Sequence, residues 1–227
     1  MALPILEVPT YELKLPSTGK KIKYRSFLVK EEKILMIANE TGEVEDQKRA
    51  IGQIITNCSF GELDYKDMPT FDVEYLFLNI RAKSVGETVD LSVLCPDDKT
   101  TRIDINININ DIKCNKPKKN ANIIKLNDDI GLVMKYPTMD IREDLDDGFK
   151  VIIKCIESVY DENTIYSLDD FSKEEVSDFI DSMNSTQLEM IGNFFDNMPK
   201  VYKDIEVINP KTKVKSKVRL EGMETFF

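Results

Sequence analysis

Thr88-Val-Asp-Leu-Ser-Val-Leu-Cys-Pro-Asp-Asp-Lys-Thr-Thr-Arg-Ile-Asp-Ile-Asn-Ile-Asn-Ile-Asn110 alternates apolar and polar residues on both sides of a Pro96-Asp-Asp-Lys99 turn. A period of two interrupted by turn chemistry reads as an antiparallel hairpin. Ile103, Ile105, Ile107 and Ile109 share one face and Asp/Asn residues the other, so one side packs and the other is wet. Just upstream the period is different. Thr70 is suited to an N-cap, Asp72 falls in the first turn, Val73, Leu76, Phe77 and Ile80 recur at helical spacing, and Lys83, Ser84 and Gly86 mark a stop. This change of period from 3.6 to 2 sets a helix just before a hairpin in the chain and predicts an α+β fold.

The same two signals recur in both directions. Tyr11-Glu-Leu-Lys-Leu15, Pro16-Ser-Thr-Gly19 and Lys20-Lys-Ile-Lys-Tyr-Arg25 predict an earlier hairpin whose polar face is studded with lysines. Ile34, Leu35, Ile37 and Ala38 predict a helix over 30–39 that stops at Thr41-Gly42, and Ala50, Ile51, Ile54 and Ile55 a second over 44–57. After an exposed Asn115-Lys-Pro-Lys-Lys-Asn120 loop, short strands are expected at 123–126 and 131–136. Helices are expected at 149–160, at 173–183 behind a capping box at Ser172-Lys-Glu-Glu175, and at 185–197. Residues 200–208 and 214–220 predict a last hairpin around Asn209-Pro-Lys-Thr212. The expectation is antiparallel hairpins combined with a helical core, with a mostly helical C-terminal half ending in a β-hairpin. Two units follow from it: 1–136, and 137–227, the second helical with the terminal hairpin.

With 227 residues and 41% hydrophobic content the chain can bury a core. No apolar run reaches the roughly 20 residues of a membrane helix, and Met1-Ala2-Leu3-Pro4-Ile5 does not open like a secretory signal, so a cytosolic site of synthesis is expected. The net charge of −10 repels a phosphate backbone and argues against nucleic-acid binding. Its distribution is polar: residues 1–35 and residues 199–227 each carry seven Lys/Arg against four Asp/Glu, whereas residues 138–198 carry sixteen acids against four bases. Basic ends of this kind suit acidic surfaces of neighbouring subunits, although separate solvated faces would have the same composition.

The catalytic inventory is thin. Histidine is absent, which removes the usual general base and the commonest metal ligand. Cys58, Cys95, Cys114 and Cys155 are too far apart for a zinc ribbon or a redox dithiol and read as reduced, packed thiols. There is no phosphate loop, nucleophile elbow or HExxH motif. The acids Asp140, Glu143, Asp144, Asp146 and Asp147 lack calcium-loop spacing and suit a helix start. No catalytic residue, cofactor, metal or small-molecule substrate is therefore expected. The residues singled out for protein contact are Lys14, Lys20, Lys21, Lys23 and Arg25 on the first hairpin, and Phe226 and Phe227 at the end, which could also dock on their own domain.

Three stretches carry a resemblance: Leu13-Lys-Leu-Pro-Ser-Thr-Gly-Lys-Lys-Ile-Lys-Tyr-Arg25 running into Phe27–Leu35; Phe71-Asp-Val-Glu-Tyr-Leu-Phe-Leu78 continuing through Arg81–Glu87; and Phe194-Phe195 through Met198-Pro199 to Leu220-Glu-Gly222 and Phe226-Phe227. In order and spacing the chain resembles the baseplate hub subunits and hub assembly proteins of T-even-like contractile-tailed bacteriophages. The resemblance implies a non-enzymatic protein of tail morphogenesis that binds other baseplate hub or tail proteins in the host cytoplasm during assembly and in the virion tail baseplate. It leaves open a lasting structural subunit or a transient assembly chaperone absent from the mature virion. A tail-associated hydrolase acting through two carboxylates is the remote alternative. Relatives can carry cysteine pairs at the two later hairpins. Here only Cys95 stands near the first of those turns, so side-chain packing is expected to hold them.

Overall fold

The computed structural model describes residues 6–139 and 148–226. It divides into two compact units, each discontinuous in sequence: one drawn from Met1–Tyr65, Phe71–Asn115 and Lys200–Phe227, the other from Lys66–Thr70 and Lys116–Pro199. This partition runs along a different line from a division after residue 136, because the last hairpin pairs within the first unit.

In the first unit, β1 (Thr10–Lys14) and β2 (Lys21–Arg25) form a hairpin, followed by α1 (Val29–Thr41), α2 (Val44–Cys58) and α3 (Thr70–Ser84). Strands β3 (Thr88–Leu94) and β4 (Arg102–Asn108) form the isoleucine hairpin. The short β5 (Lys113–Cys114) pairs with β10 (Val201–Ile208), which pairs in turn with β11 (Lys215–Glu221). Helix α3 is buried nearly all round: Phe71, Val73, Leu76, Phe77, Leu78, Ile80 and Ala82 are all inside, more than the single stripe the spacing predicts. A helix apolar on several faces belongs at the centre of its unit. Leu78 and Ala82 pack with Val93, Ile107 and Ile109 of the isoleucine hairpin and with Val201 and Leu220 of the last one. Burial along the isoleucine row is graded, half-buried at Ile103 and Ile105 and complete at Ile107 and Ile109, so the hairpin is rooted at its base.

The three hairpins share one turn. Leu15-Pro-Ser-Thr-Gly19, Cys95-Pro-Asp-Asp-Lys99 and Asn209-Pro-Lys-Thr-Lys213 each bury the first residue and donate the fifth residue's N–H to the first residue's carbonyl, at 2.8, 3.0 and 2.9 Å respectively. The fifth residue is left-handed in every case, with φ of 69°, 53° and 63°. Glycine takes that conformation without penalty, whereas Lys99 and Lys213 hold it at some cost in strain.

In the second unit, β6 (Ile123–Lys125), β7 (Gly131–Met134), β8 (Ile156–Tyr160) and β9 (Ile165–Ser167) form a four-stranded antiparallel sheet in that order. It packs with α4 (Gly148–Cys155), α5 (Lys173–Asp181) and α6 (Ser185–Asp196) around Leu132, Met134, Ile156, Ile180, Ile191 and Phe194. The capping box expected at Ser172 and Glu175 is present, and Asn184 and Gln187 form a second one.

The expectation of a mostly helical C-terminal half ending in a hairpin is overturned. The longest helices, α2 and α3 at 15 residues and α1 at 13, lie in the N-terminal half, and among the described residues β6 and β7 precede the shorter α4, β8 and β9 separate it from α5 and α6, and β10 and β11 follow. The single helix expected over 149–160 stops at Cys155, and Ile156–Tyr160 instead becomes a central strand between β7 and β9. Val151, Ile152, Ile153, Ile156 and Val159 are β-branched, so the run suits either element, and the neighbouring strands decide. Nor does the chain end on the hairpin: Met223–Phe226 forms a 3-10 turn after it.

Candidate functional site

The expected contact residues begin on the β1–β2 hairpin. Its register sets Leu13 against Ile22 and Tyr11 against Tyr24, whose rings lie 5.5 Å apart, and these side chains turn towards the interior. The opposite face carries Thr10, Glu12, Lys14, Lys21 and Lys23, all exposed, with Lys20 at the turn. Lys14 lies directly across from Lys21, and Glu12 across from Lys23. Lys21 bonds Glu12 diagonally at 2.5 Å and holds its carboxyl below the ordinary carboxylate range. Among the described residues Lys14, Lys20 and Lys23 meet no carboxylate within ion-pair distance. Like charges directly opposed across a hairpin are destabilising, so this face carries unrelieved positive potential.

The turn that presents this face is anchored. Buried Asp72, in the first turn of α3, accepts from the Ser17 N–H at 3.0 Å and from the Ser17 hydroxyl. Burial pushes the Asp72 carboxyl up, and the two Ser17 hydrogen bonds only partly offset it. The helical spacing places Asp72 only in the first turn of α3. Its link to the hairpin spans 55 residues and has no local signal.

Arg25 shares the parity of Lys21 and Lys23 but is not at the surface. It is buried, donating to Glu31 at 3.1 and 3.3 Å, to the Asn57 carbonyl at 3.3 Å and to the Ser26 carbonyl at 2.9 Å. Glu31 is fully enclosed and also accepts from the Leu28 N–H at the start of α1 at 2.9 Å. Burial pushes its carboxyl up, but the Arg25 guanidinium and the Leu28 N–H outweigh it and the net displacement is downward. Arg25 therefore joins β2 to α1 and α2.

The basic C-terminal hairpin differs from the first. Arg219 grips Asp204 with two bonds at 2.6 and 2.8 Å and lies over the Tyr202 ring, Lys215 pairs with Glu206 at 2.6 Å, and Lys203 with Asp111 at 2.9 Å. Its turn is tied to that of the isoleucine hairpin, where Asp97 accepts from Asn209 at 3.1 Å and from the Thr212 hydroxyl at 2.5 Å. Hydrogen bonds thus join the two turns, where packing alone was expected. Phe226 is fully buried, packed with Leu78, Ile112 and Leu220, and Phe227 lies outside the described residues.

Cys58, Cys95 and Cys155 are buried and Cys114 half-buried, and burial raises all four thiols, Cys58 and Cys155 to about 11 and Cys114 to about 12. The acids Asp140, Glu143, Asp144, Asp146 and Asp147 lie outside the described residues. Asp161 closes a turn by accepting from the N–H groups of Asn163 and Thr164 and from the Tyr166 hydroxyl, each at 2.8 Å. Among the described residues no three Cys, Asp or Glu side chains gather to hold a metal ion, and no helix is long and apolar enough to cross a membrane.

A family model described as T4 bacteriophage base plate protein matches residues 8–227. No curated protein and no solved structure matches the chain.

Proposed function

The chain belongs to the T4 bacteriophage base plate protein family, and from that membership we propose that it is a hub component of the baseplate, acting by contact with other hub and tail proteins rather than by turnover. The family's role is structural or in assembly of the phage baseplate. The observation that carries it is the lysine face of the β1–β2 hairpin. Lys14 and Lys21 are opposed, Lys20 and Lys23 flank them, and Glu12 alone answers them, while the basic residues of the C-terminal hairpin are largely spent on their own acids. An acidic surface on a neighbouring subunit would relieve that repulsion, and complementarity of this kind sets docking register and encounter rate. The Ser17–Asp72 link holds the turn ready, which lowers the ordering cost of docking.

Co-expression with neighbouring hub proteins followed by size-exclusion chromatography tests the reading. The chain is expected to co-elute with a hub protein at low salt, more weakly at moderate salt, and to lose the partner when Lys14→Glu and Lys21→Glu are combined. Failure to bind any tail protein, or equal binding by the reversed hairpin, would defeat the proposal. Mass spectrometry of purified virions then distinguishes the two roles: stoichiometric presence marks a lasting subunit and absence a transient assembly chaperone.

A further inference from the structure

The second unit carries a surface that the lysine-face reading does not use. Between β9, the Leu168–Asp170 turn and α5 lies an open groove of about 400 Å³, floored by Ile130, Val159, Leu168 and Phe179 and lipped by Tyr166 and Phe171. The two lip rings lie 6.2 Å apart, 36% and 40% exposed. Strand β9 is an edge of its sheet, with β8 as its one neighbour among the described residues. Apolar side chains gathered at a sheet edge invite another chain.

Charge decides what kind of chain fits. Residues 157–181 hold nine acids against the single base Lys173. Asp161 and Glu175 stand on the groove wall, each held below the ordinary carboxylate range, by the Asn163 N–H and the Ser172 N–H respectively. The adjoining depression shares Leu168, Phe171 and Val176 but sets Lys135, Lys150, Lys154 and Lys173 against the single acid Asp169, so of the two it is this groove whose charged lining is acidic. The lysine hairpin of a second copy supplies cations but no anchor, because its Leu13, Leu15 and Ile22 turn inward.

We propose that this groove docks a segment of a partner protein in which Lys or Arg flank an apolar or aromatic anchor. The anchor enters between Tyr166 and Phe171 while the flanking cations face Asp161, Glu162, Asp170 and Glu175. The proposal involves none of the hairpin lysines, so it stands or falls separately from the reading above.

Fluorescence anisotropy of labelled peptides with the intact chain tests it. The probes are a short Lys/Phe peptide, the same peptide with Glu for Lys, and the same with Ser for Phe. The Lys/Phe peptide is expected to bind saturably and more weakly as salt rises. Combined Glu162→Lys and Asp170→Lys, at exposed positions, should weaken it about tenfold with an unchanged unfolding midpoint. Phe171→Ser should weaken it at least as much, and Lys14→Glu with Lys21→Glu not at all. No saturable binding, equal binding of the Glu/Phe or Lys/Ser peptide, insensitivity to the groove variants, or sensitivity to the hairpin variant would each overturn the proposal. So would sedimentation of the chain alone showing a dimer that the groove variants dissociate, since the occupant would then be a second copy.

Discussion

Replacing Glu31 by Gln keeps the shape of the side chain and an oxygen for the Leu28 N–H but removes the charge that faces Arg25 at 3.1 and 3.3 Å. Both partners are buried, Glu31 completely, so the guanidinium is left in the interior with carbonyls and no counterion. Removing one member of a buried pair costs about 3–5 kcal/mol, chiefly through the uncompensated charge that remains. Against a total stability of about 5–15 kcal/mol that is a large share. For a chain of this size it corresponds to a fall in Tm of about 6–20 °C. Urea unfolding followed by circular dichroism reads the loss, since the chain has no tryptophan. Replacing both partners with apolar residues, Arg25→Met with Glu31→Leu, should recover all but about 1 kcal/mol, the residue being the acceptor lost by the Leu28 N–H. Acid titration gives a second check. The Glu31 carboxyl lies below its unfolded value, so its contribution is fully present above about pH 4.3 and fades as pH falls through the lower folded value. Glu31→Gln should flatten that part of the acid limb. A loss under about 1 kcal/mol in Glu31→Gln, or a double variant no more stable than the single, would refute the argument that the charge, rather than the shape, is what matters here.

Further outcomes follow from burial and hydrogen bonding. Phe226→Ala should cost about 3–5 kcal/mol in urea unfolding, and a chain lacking its last six residues should show reduced secondary structure by circular dichroism; a native spectrum with normal assembly would return the terminus to the role of a free anchor. Asn209→Ala removes the donor to Asp97 and the acceptor of the Lys211 and Thr212 N–H groups, so a loss of about 1–3 kcal/mol and faster hydrogen exchange at both turns are expected. Burial raises all four thiols, with Cys58 and Cys155 at about 11 and Cys114 at about 12, so a thiol reagent at mildly alkaline pH should label the native chain slowly and the urea-unfolded chain at all four.

The hairpins and most helices were legible because each is a local signal. Alternation around Pro16, Pro96 and Pro210 located the three turns, and the spacings in 44–57 and 70–84 located α2 and α3. What escaped was decided at a distance. Ile156–Tyr160 has the composition of either element, and its pairing with β7 settles the matter. Arg25 continues the lysine parity in the sequence, yet α1 and α2 cover it. The two-residue β5 is too short for any period, and β10 defines it from 87 positions away, counting from Cys114 to Val201. Of the expected contact residues, the four lysines are exposed as the alternation implied. Phe226 shows how a terminal aromatic reads equally well as anchor or core until its neighbours are known. The groove at Tyr166 and Phe171 gave no sequence signal, because β9 has only three residues.

The interrupted make-up of the first unit sets an order on its synthesis. When β5 leaves the ribosome its partner β10 has not been made, and at about 5–20 residues per second the intervening stretch occupies roughly 4–17 s. Throughout that interval Leu78, Ile107 and Ile109 lack the cover that Val201, Leu220 and Phe226 later supply. A nascent chain stalled anywhere in 116–199 therefore displays an unfinished core, open to chaperones and proteases, and the first unit closes only once the last hairpin has been made.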